Sequence, residues 1–197
     1  GTLTMGSVSE SATTQGGTVG WTYNVSNAAT QYLADGQTAT ESFTVTVGDG
    51  HGGFVDQTVT VTVTGTNDGP TIVAGNTDAI GAVTEDVSAM TLSDTGVIAF
   101  NDIDLIDVHT ATVAKATGSL GGTLTLGAVS GETADNTTGS VGWTYNVSNA
   151  ATQYLAAGQT ATETFTVTVD DGNNGTAQQT VTVTVTGTND GPTIVAG

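Results

Sequence analysis

An internal repeat constrains this chain more than any other feature of its sequence. Residues 21–75 and 143–197 align without a gap at an offset of 122 residues, and 47 of the 55 aligned positions are identical. The likeness extends back to Gly1-Thr2-Leu3-Thr4, which matches Gly122-Thr123-Leu124-Thr125 with one extra residue in the second copy. A period of this length is that of a small domain, not of a solenoid coil. The chain is out of phase with its own period, because residues 76–121 have no counterpart ahead of Gly1. Residues 1–75 therefore read as the C-terminal part of one repeat with its linker, holding about four strands. Residues 76–197 read as a complete second repeat that ends in a linker. The first part is expected to expose core valines or to pair with something outside the chain. The near-identity of the copies points to duplication within a longer array.

Within the complete copy the hydrophobic period is two. Trp143, Tyr145 and Val147 alternate with polar residues, as do Phe165, Val167, Val169 and then Val181, Val183, Val185. Strict alternation marks strands with one buried and one wet face. Seven strands are expected: residues 79–85, 97–100, 110–116, 123–129 and 141–147, then one around 165–169 and one around 181–185. Asp170-Asp171-Gly172-Asn173-Asn174-Gly175 joins the last two as a hairpin. Ser148 or Asn149 caps a short helix over 150–157 that Gly158 ends, with Ala151 and Leu155 on one face. The fold class is all-β: immunoglobulin- or cadherin-like Greek-key sandwich repeats, with one short helix per repeat.

Charge excludes several functions. The chain carries one Lys or Arg against 19 acids, a formal net charge of −18. Nucleic-acid binding needs cations to neutralise phosphates, and attraction to anionic lipid needs them too. No apolar run is long enough to span a membrane. Cysteine is absent, which removes disulfides and thiolate chemistry. Such acidity suits divalent cations or basic partners; solubility alone is the competing explanation. No signal peptide is visible, and the chain reads as a piece of something longer. His51 is replaced by Asn173 in the other copy, and His109 opens a strand; both are expected to be solvated. With no nucleophile motif and no phosphate-binding loop, no enzymatic activity is expected.

Several stretches resemble the VCBS-type repeats of large bacterial surface adhesins of the RTX, type I-secreted kind. They are Val83-Thr84-Glu85-Asp86, Phe100-Asn101-Asp102-Ile103-Asp104, Gly122-Thr123-Leu124-Thr125-Leu126 and Trp143-Thr144-Tyr145. Phe165-Thr166-Val167-Thr168-Val169-Asp170-Asp171-Gly172 and Thr186-Gly187-Thr188-Asn189-Asp190-Gly191-Pro192 complete the set. The resemblance implies an extracellular sandwich strung in tandem at the bacterial cell surface, dependent on calcium and serving adhesion or biofilm formation. The hairpin departs from the family's Asp-Gly-Asp-Gly-Gly pattern at His51 and at Asn173, which puts a ligand at position 51 in doubt.

The residues themselves offer a calcium (Ca2+) site. Calcium takes six to eight oxygens, and residues two apart in an extended segment face the same way, so Asp102 and Asp104 can clamp one ion. In an immunoglobulin-like order the incoming linker, the turn after the second strand and the last hairpin meet at one end. Asn67 and Asp68 from the linker, Glu85 from the first strand and Asp171 from the hairpin are the further candidate ligands. The function expected is a stalk or extender module stiffened by calcium between neighbouring repeats of the same chain. The alternative is a glycan- or protein-binding module at one end of the sandwich. Trp21, Tyr23, Trp143 and Tyr145 are the candidate sugar platform, with core packing as their ordinary fate.

Overall fold

The computed structural model describes residues 1–133, 137–192 and 194. The chain divides into two compact units, Gly1–Asn67 and Asp68–Gly197.

The first unit consists of two antiparallel hairpins. Strand β1 (Thr2–Glu10) pairs with β2 (Gly17–Asn24), and β3 (Thr38–Gly48) pairs with β4 (Phe54–Thr64). Each hairpin is a sheet of two strands only. The alternation of Val and Thr that forms these strands is intact, yet the Val face is only half-buried along β3 and β4. Two-stranded sheets bury too little apolar surface to be stable alone.

The second unit builds a full sandwich from eight strands. They are β5 (Thr71–Ile72), β6 (Ile80–Thr84), β7 (Thr91–Asn101), β8 (Thr110–Thr117), β9 (Thr123–Ser130), β10 (Thr138–Ser148), β11 (Thr160–Asp170) and β12 (Thr176–Thr186). One sheet has the order β5-β7-β10-β9 and the other β6-β12-β11-β8. All pairings are antiparallel except β6 with β12. The seven expected strands are present, and β5 is an added two-residue edge piece. Strand β7 starts at Thr91, six residues before the expected Val97, because Leu92 and its neighbours pair with Val147 and Ser148 at the end of β10.

Trp143, Tyr145, Val147, Phe165, Val167, Val181, Val183 and Val185 meet in one core with Ile98, Leu92 and Leu124. The expected core fate of Trp143 and Tyr145 is thus observed. The indole N–H of Trp143 is satisfied by the Asp78 carbonyl at 2.7 Å, as a buried donor must be. The short helix is a three-residue 3-10 turn, Asn149–Ala151. Asn149 is held through its side chain to the backbone of Asp86, and the Thr152 hydroxyl closes back on the Asn149 carbonyl at 2.7 Å. The following residues continue with i to i+3 bonds, from Leu155 to Thr152 and from Gln159 to Ala156. Leu155 still plugs the core.

A charged group also sits within the core. Glu163 is fully buried among the valines of β11. Its carboxylate receives Lys115 Nζ at 2.5 Å, the Leu120 amide at 3.0 Å and the Tyr145 hydroxyl at 2.8 Å. The only lysine of the chain thus neutralises a buried acid, which burial would otherwise make very costly. Burial, then the Glu163 carboxylate, pushes the Tyr145 phenol well above its ordinary value.

Candidate functional site

At one end of the second unit the chain leaves β7 at Asn101 and turns through Asp102–Asp107 before β8. The turn is built by its own acids. The Asp104 amide donates to Asp102 Oδ1 at 2.9 Å, and the Asp107 amide donates to the Asp104 carbonyl at 3.1 Å. The Asp102 amide reaches the Thr137 carbonyl at 2.7 Å. Beside it lies the β11–β12 hairpin, where Asp171 Oδ1 accepts the amides of Asn173 at 2.6 Å and Gly175 at 2.9 Å. The incoming segment enters here too, with the Asp68 amide donating to Asp104 Oδ2 at 2.8 Å. Gly69 passes so close that a Cβ on it would lie 3.1 Å from the Cα of Gly175. A side chain at 69 would require the segment or the hairpin to give by a few tenths of an ångström.

These loops bring carboxylates together. One oxygen from each of Asp102, Asp107 and Asp171 lies within 4.8 Å of the others. Oxygens sharing one calcium at 2.3–2.6 Å can be no more than about 5.2 Å apart, so the three meet that limit. Asp102, Asp104 and Asp171 are buried. Three oxygens at this end, Asp104 Oδ1, Asp107 Oδ2 and Asn101 Oδ1, are buried without a hydrogen-bond partner. Burial pushes the Asp104 carboxyl above its ordinary value; repulsion from Asp107, Asp102 and Asp68 adds to this, against the Asp68 amide. Burial likewise raises Asp107, with Asp102 and Asp171 adding, against a hydrogen bond from Asn173 and the nearby His109. Lys115 is engaged at Glu163, so it does not serve these acids.

His109 is buried, not solvated as expected from the sequence. Its Nε2 lies 3.0 Å from Asp102 Oδ2, and its Nδ1 meets Glu132 Oε1. The ring packs against Phe100 with centroids 4.8 Å apart. The imidazole thereby fixes the orientation of the Asp102 carboxylate. His51 is exposed, and its backbone amide binds Asp49 Oδ1 at 2.7 Å as that of Asn173 binds Asp171. Position 51 thus serves the turn through its backbone.

Of the residues singled out from sequence, Asp68, Asp102, Asp104 and Asp171 converge at this end. Asn67 is half-buried and closes the first unit. Glu85 stands elsewhere, and this corrects the expected convergence. Strand β6 runs parallel to β12, with Thr84 opposite Thr186. Glu85 therefore lies where β12 ends, whereas Asp171 precedes its start. Eleven residues of strand separate these ends by about 35 Å. There Glu85 accepts the Thr188 amide at 2.8 Å and Gln153 Nε2 at 2.5 Å, clasping the segment that leaves the domain. Asp107, Glu132 and His109 were not anticipated. The spacing Asp102-x-Asp104-x-x-Asp107 is the visible signal for the first; the contacts of Glu132 cross from a distant loop and have none.

No protein-family model matches the chain, and no curated protein matches its sequence. Among solved structures, the chain is similar to zebrafish RET cadherin-like domains 1 to 4, at 14% identity and a TM-score of 0.36. That match covers 77% of this chain and 34% of the other. It is also similar to the Enterococcus faecalis MSCRAMM ACE, described as binding its ligands by the collagen hug model, at 11% identity and a TM-score of 0.27. Here 75% of this chain and 60% of the other are covered. The sandwich itself is read from the strand order above. Among the described residues no helix is long and apolar enough to cross a membrane.

Proposed function

We propose that the second unit is an extender module of an extracellular bacterial adhesin, with a calcium ion at the Asp102–Asp107–Asp171 end. In this reading residues 76–197 are one complete repeat and residues 1–75 the C-terminal part of another. One observation carries the proposal: three carboxylates from two separate loops lie within 4.8 Å, with no lysine or arginine among them. Acids at that spacing repel, and a divalent cation removes the cost. The donor set fits a hard cation. It is all oxygen, and the buried partnerless oxygens of Asp104 and Asp107 are further ligand candidates.

Asp102, Asp107 and Asp171 would hold the ion, with Asp104 beside them. The ion supplies charge neutralisation and a cross-link. The protein supplies the rest: His109 orients Asp102, two backbone amides orient Asp171, and Asp104 ties down Asp68 of the incoming segment. Such a cross-link stiffens the path by which a tandem chain enters the domain. Adhesion and biofilm support are the roles that the sequence resemblance implies for a module of this kind. A sugar platform in the second unit is not favoured, since Trp143 and Tyr145 are core.

Calorimetric titration of the chain with calcium, with magnesium as control, tests the site. Calcium-specific heat that disappears in the Asp107→Asn variant supports it. Heat that is absent, or equal for both ions and unchanged in the variant, overturns it.

A further inference from the structure

Strands β6 and β12 of the second unit lie side by side and run the same way. They pair over five residues, from Ile80 opposite Thr182 to Thr84 opposite Thr186. The segment that leads into β6 comes from the Asp68 end and descends along β7, with Thr71 opposite Asn101 and Asp78 opposite Val97. The outgoing segment leaves β12 at Thr186, at the opposite end. Tension between these two segments draws β6 toward its start and β12 toward its end. The strands are then pulled past one another. The hydrogen bonds of a parallel ladder bridge from strand to strand across that pull, so they share the load and fail together. Pulled apart from one end, the same bonds would open one at a time.

The ladder is fastened beyond both its ends. At its start the Thr182 amide donates to the Ala79 carbonyl at 2.9 Å, and the Trp143 indole holds the Asp78 carbonyl. At its end Glu85 holds the outgoing strand twice. Its amide donates to the Thr186 carbonyl at 2.8 Å, and its carboxylate accepts the Thr188 amide at 2.8 Å. Glu85 is buried, and Gln153 Nε2 fixes its other oxygen. A bond to a carboxylate is roughly twice as strong as one between neutral groups. The other edge of β6 is tied at Ala82, whose amide donates to Asp94 Oδ2 at 2.8 Å.

We infer that β6 and β12 form a shear clamp by which the second unit resists tension along the chain, with Glu85 as the bolt between β6 and the outgoing segment. The clamp is the point that yields first, because β6 holds β12 over five residues and β11 holds it over eleven. It follows from strand order and these bonds, and it holds whether or not an ion binds at the Asp102–Asp107–Asp171 end.

Single-molecule stretching of the full chain tests this. The sequence has no cysteine, so two introduced cysteines are unique handles. Thr71, Val87 and Asn189 are exposed. Thr71→Cys/Asn189→Cys loads β6 and β12 in shear. Val87→Cys/Asn189→Cys, at the shared end of the two strands, unzips them. Forced unfolding follows the unfolding rate, and the shear pair is expected to unfold at about twice the force of the unzipping pair or more. The same difference is expected in chelator and in calcium. Glu85→Ala should lower the force in shear. Lys115→Met lies outside the clamp and should leave that force unchanged while lowering the urea midpoint. Equal forces in the two geometries overturn the clamp, and this comparison needs no core substitution. A Lys115→Met chain weakened in shear as much as Glu85→Ala also overturns it, since resistance would then follow stability alone. An unchanged shear force in Glu85→Ala overturns the bolt.

Discussion

Trp21 and Trp143 hold the same position in the same repeated sequence, yet the first is 48% exposed and the second 2%. The difference lies in what covers them. Gly96 of β7 lies against the Trp143 ring, where a Cβ would be 2.4 Å from Cζ2. The near-identical sequences form matching strand over 17–24 and 139–146, and the β5–β8 half of the second unit decides the burial of Trp143.

Truncation should separate the pair. Trp143→Ala is expected to destabilise the second unit by about 3–5 kcal/mol, the usual cost of emptying a core aromatic site. Trp21→Ala should cost under about 1 kcal/mol. Urea unfolding of both variants, followed by far-ultraviolet circular dichroism, measures this.

Glu163 depends on the chain's one lysine. Lys115→Met should cost about 3 kcal/mol, because it leaves a buried carboxylate without its cation. Adding Glu163→Gln to that variant should recover part of the loss, since the amide oxygen in the Oε1 position still accepts the Leu120 amide and the amide NH2 can donate to the rotated Tyr145 hydroxyl. A double-mutant cycle by chemical unfolding reads the coupling. Additive losses would show that the two residues act independently.

Asp104 and Asp107 should make the calcium-free protein lose stability as pH rises. The carboxyls of Asp104 and Asp107 are raised above their ordinary 3.8 in the fold. The native state therefore binds protons more readily than the unfolded chain. Their contribution is fully present below the ordinary value and is lost as pH passes through the raised one. The midpoint in chelator, scanned over about pH 4 to 7, should fall less steeply in Asp104→Asn/Asp107→Asn than in the unaltered chain.

The sandwich was legible because period two and hairpin signals are local. Alternation at Phe165–Val169 and Val181–Val185 places strands, and the Asp171–Gly175 loop joins them. Asp102, Asp104, Asp171 and Asp68 were legible because strand order alone brings their loops to one end. Glu85 was not, because its height depends on the parallel register of β6 on β12. The helix failed for a long-range reason: the Asn149 side chain ties the backbone to that of Asp86, 63 residues away. The burial of His109 was hidden, since Glu132 and Asp102 reach it from different loops. Glu163 could have been found, as an acid in the inward series with Phe165 and Val167, in a chain with one lysine.

Asp107 should matter as much as the acids read from sequence. Asp107→Asn is expected to weaken calcium binding by about tenfold or more, whereas Glu85→Gln should leave it unchanged while lowering stability at the other end. Calcium titration of both variants distinguishes them.

Thermal unfolding in chelator and then in about 10 mM calcium, with magnesium as control, reads out the proposed ion at the Asp102–Asp107–Asp171 end. An ion bound only by the folded state raises the midpoint. At affinities of about 0.1–1 mM, as in extracellular modules, this amounts to about 1.4–2.7 kcal/mol. A calcium-specific rise of about 5–10 °C is expected for the second unit, absent in Asp102→Asn/Asp107→Asn. An unchanged midpoint, or an equal rise with magnesium, would contradict it.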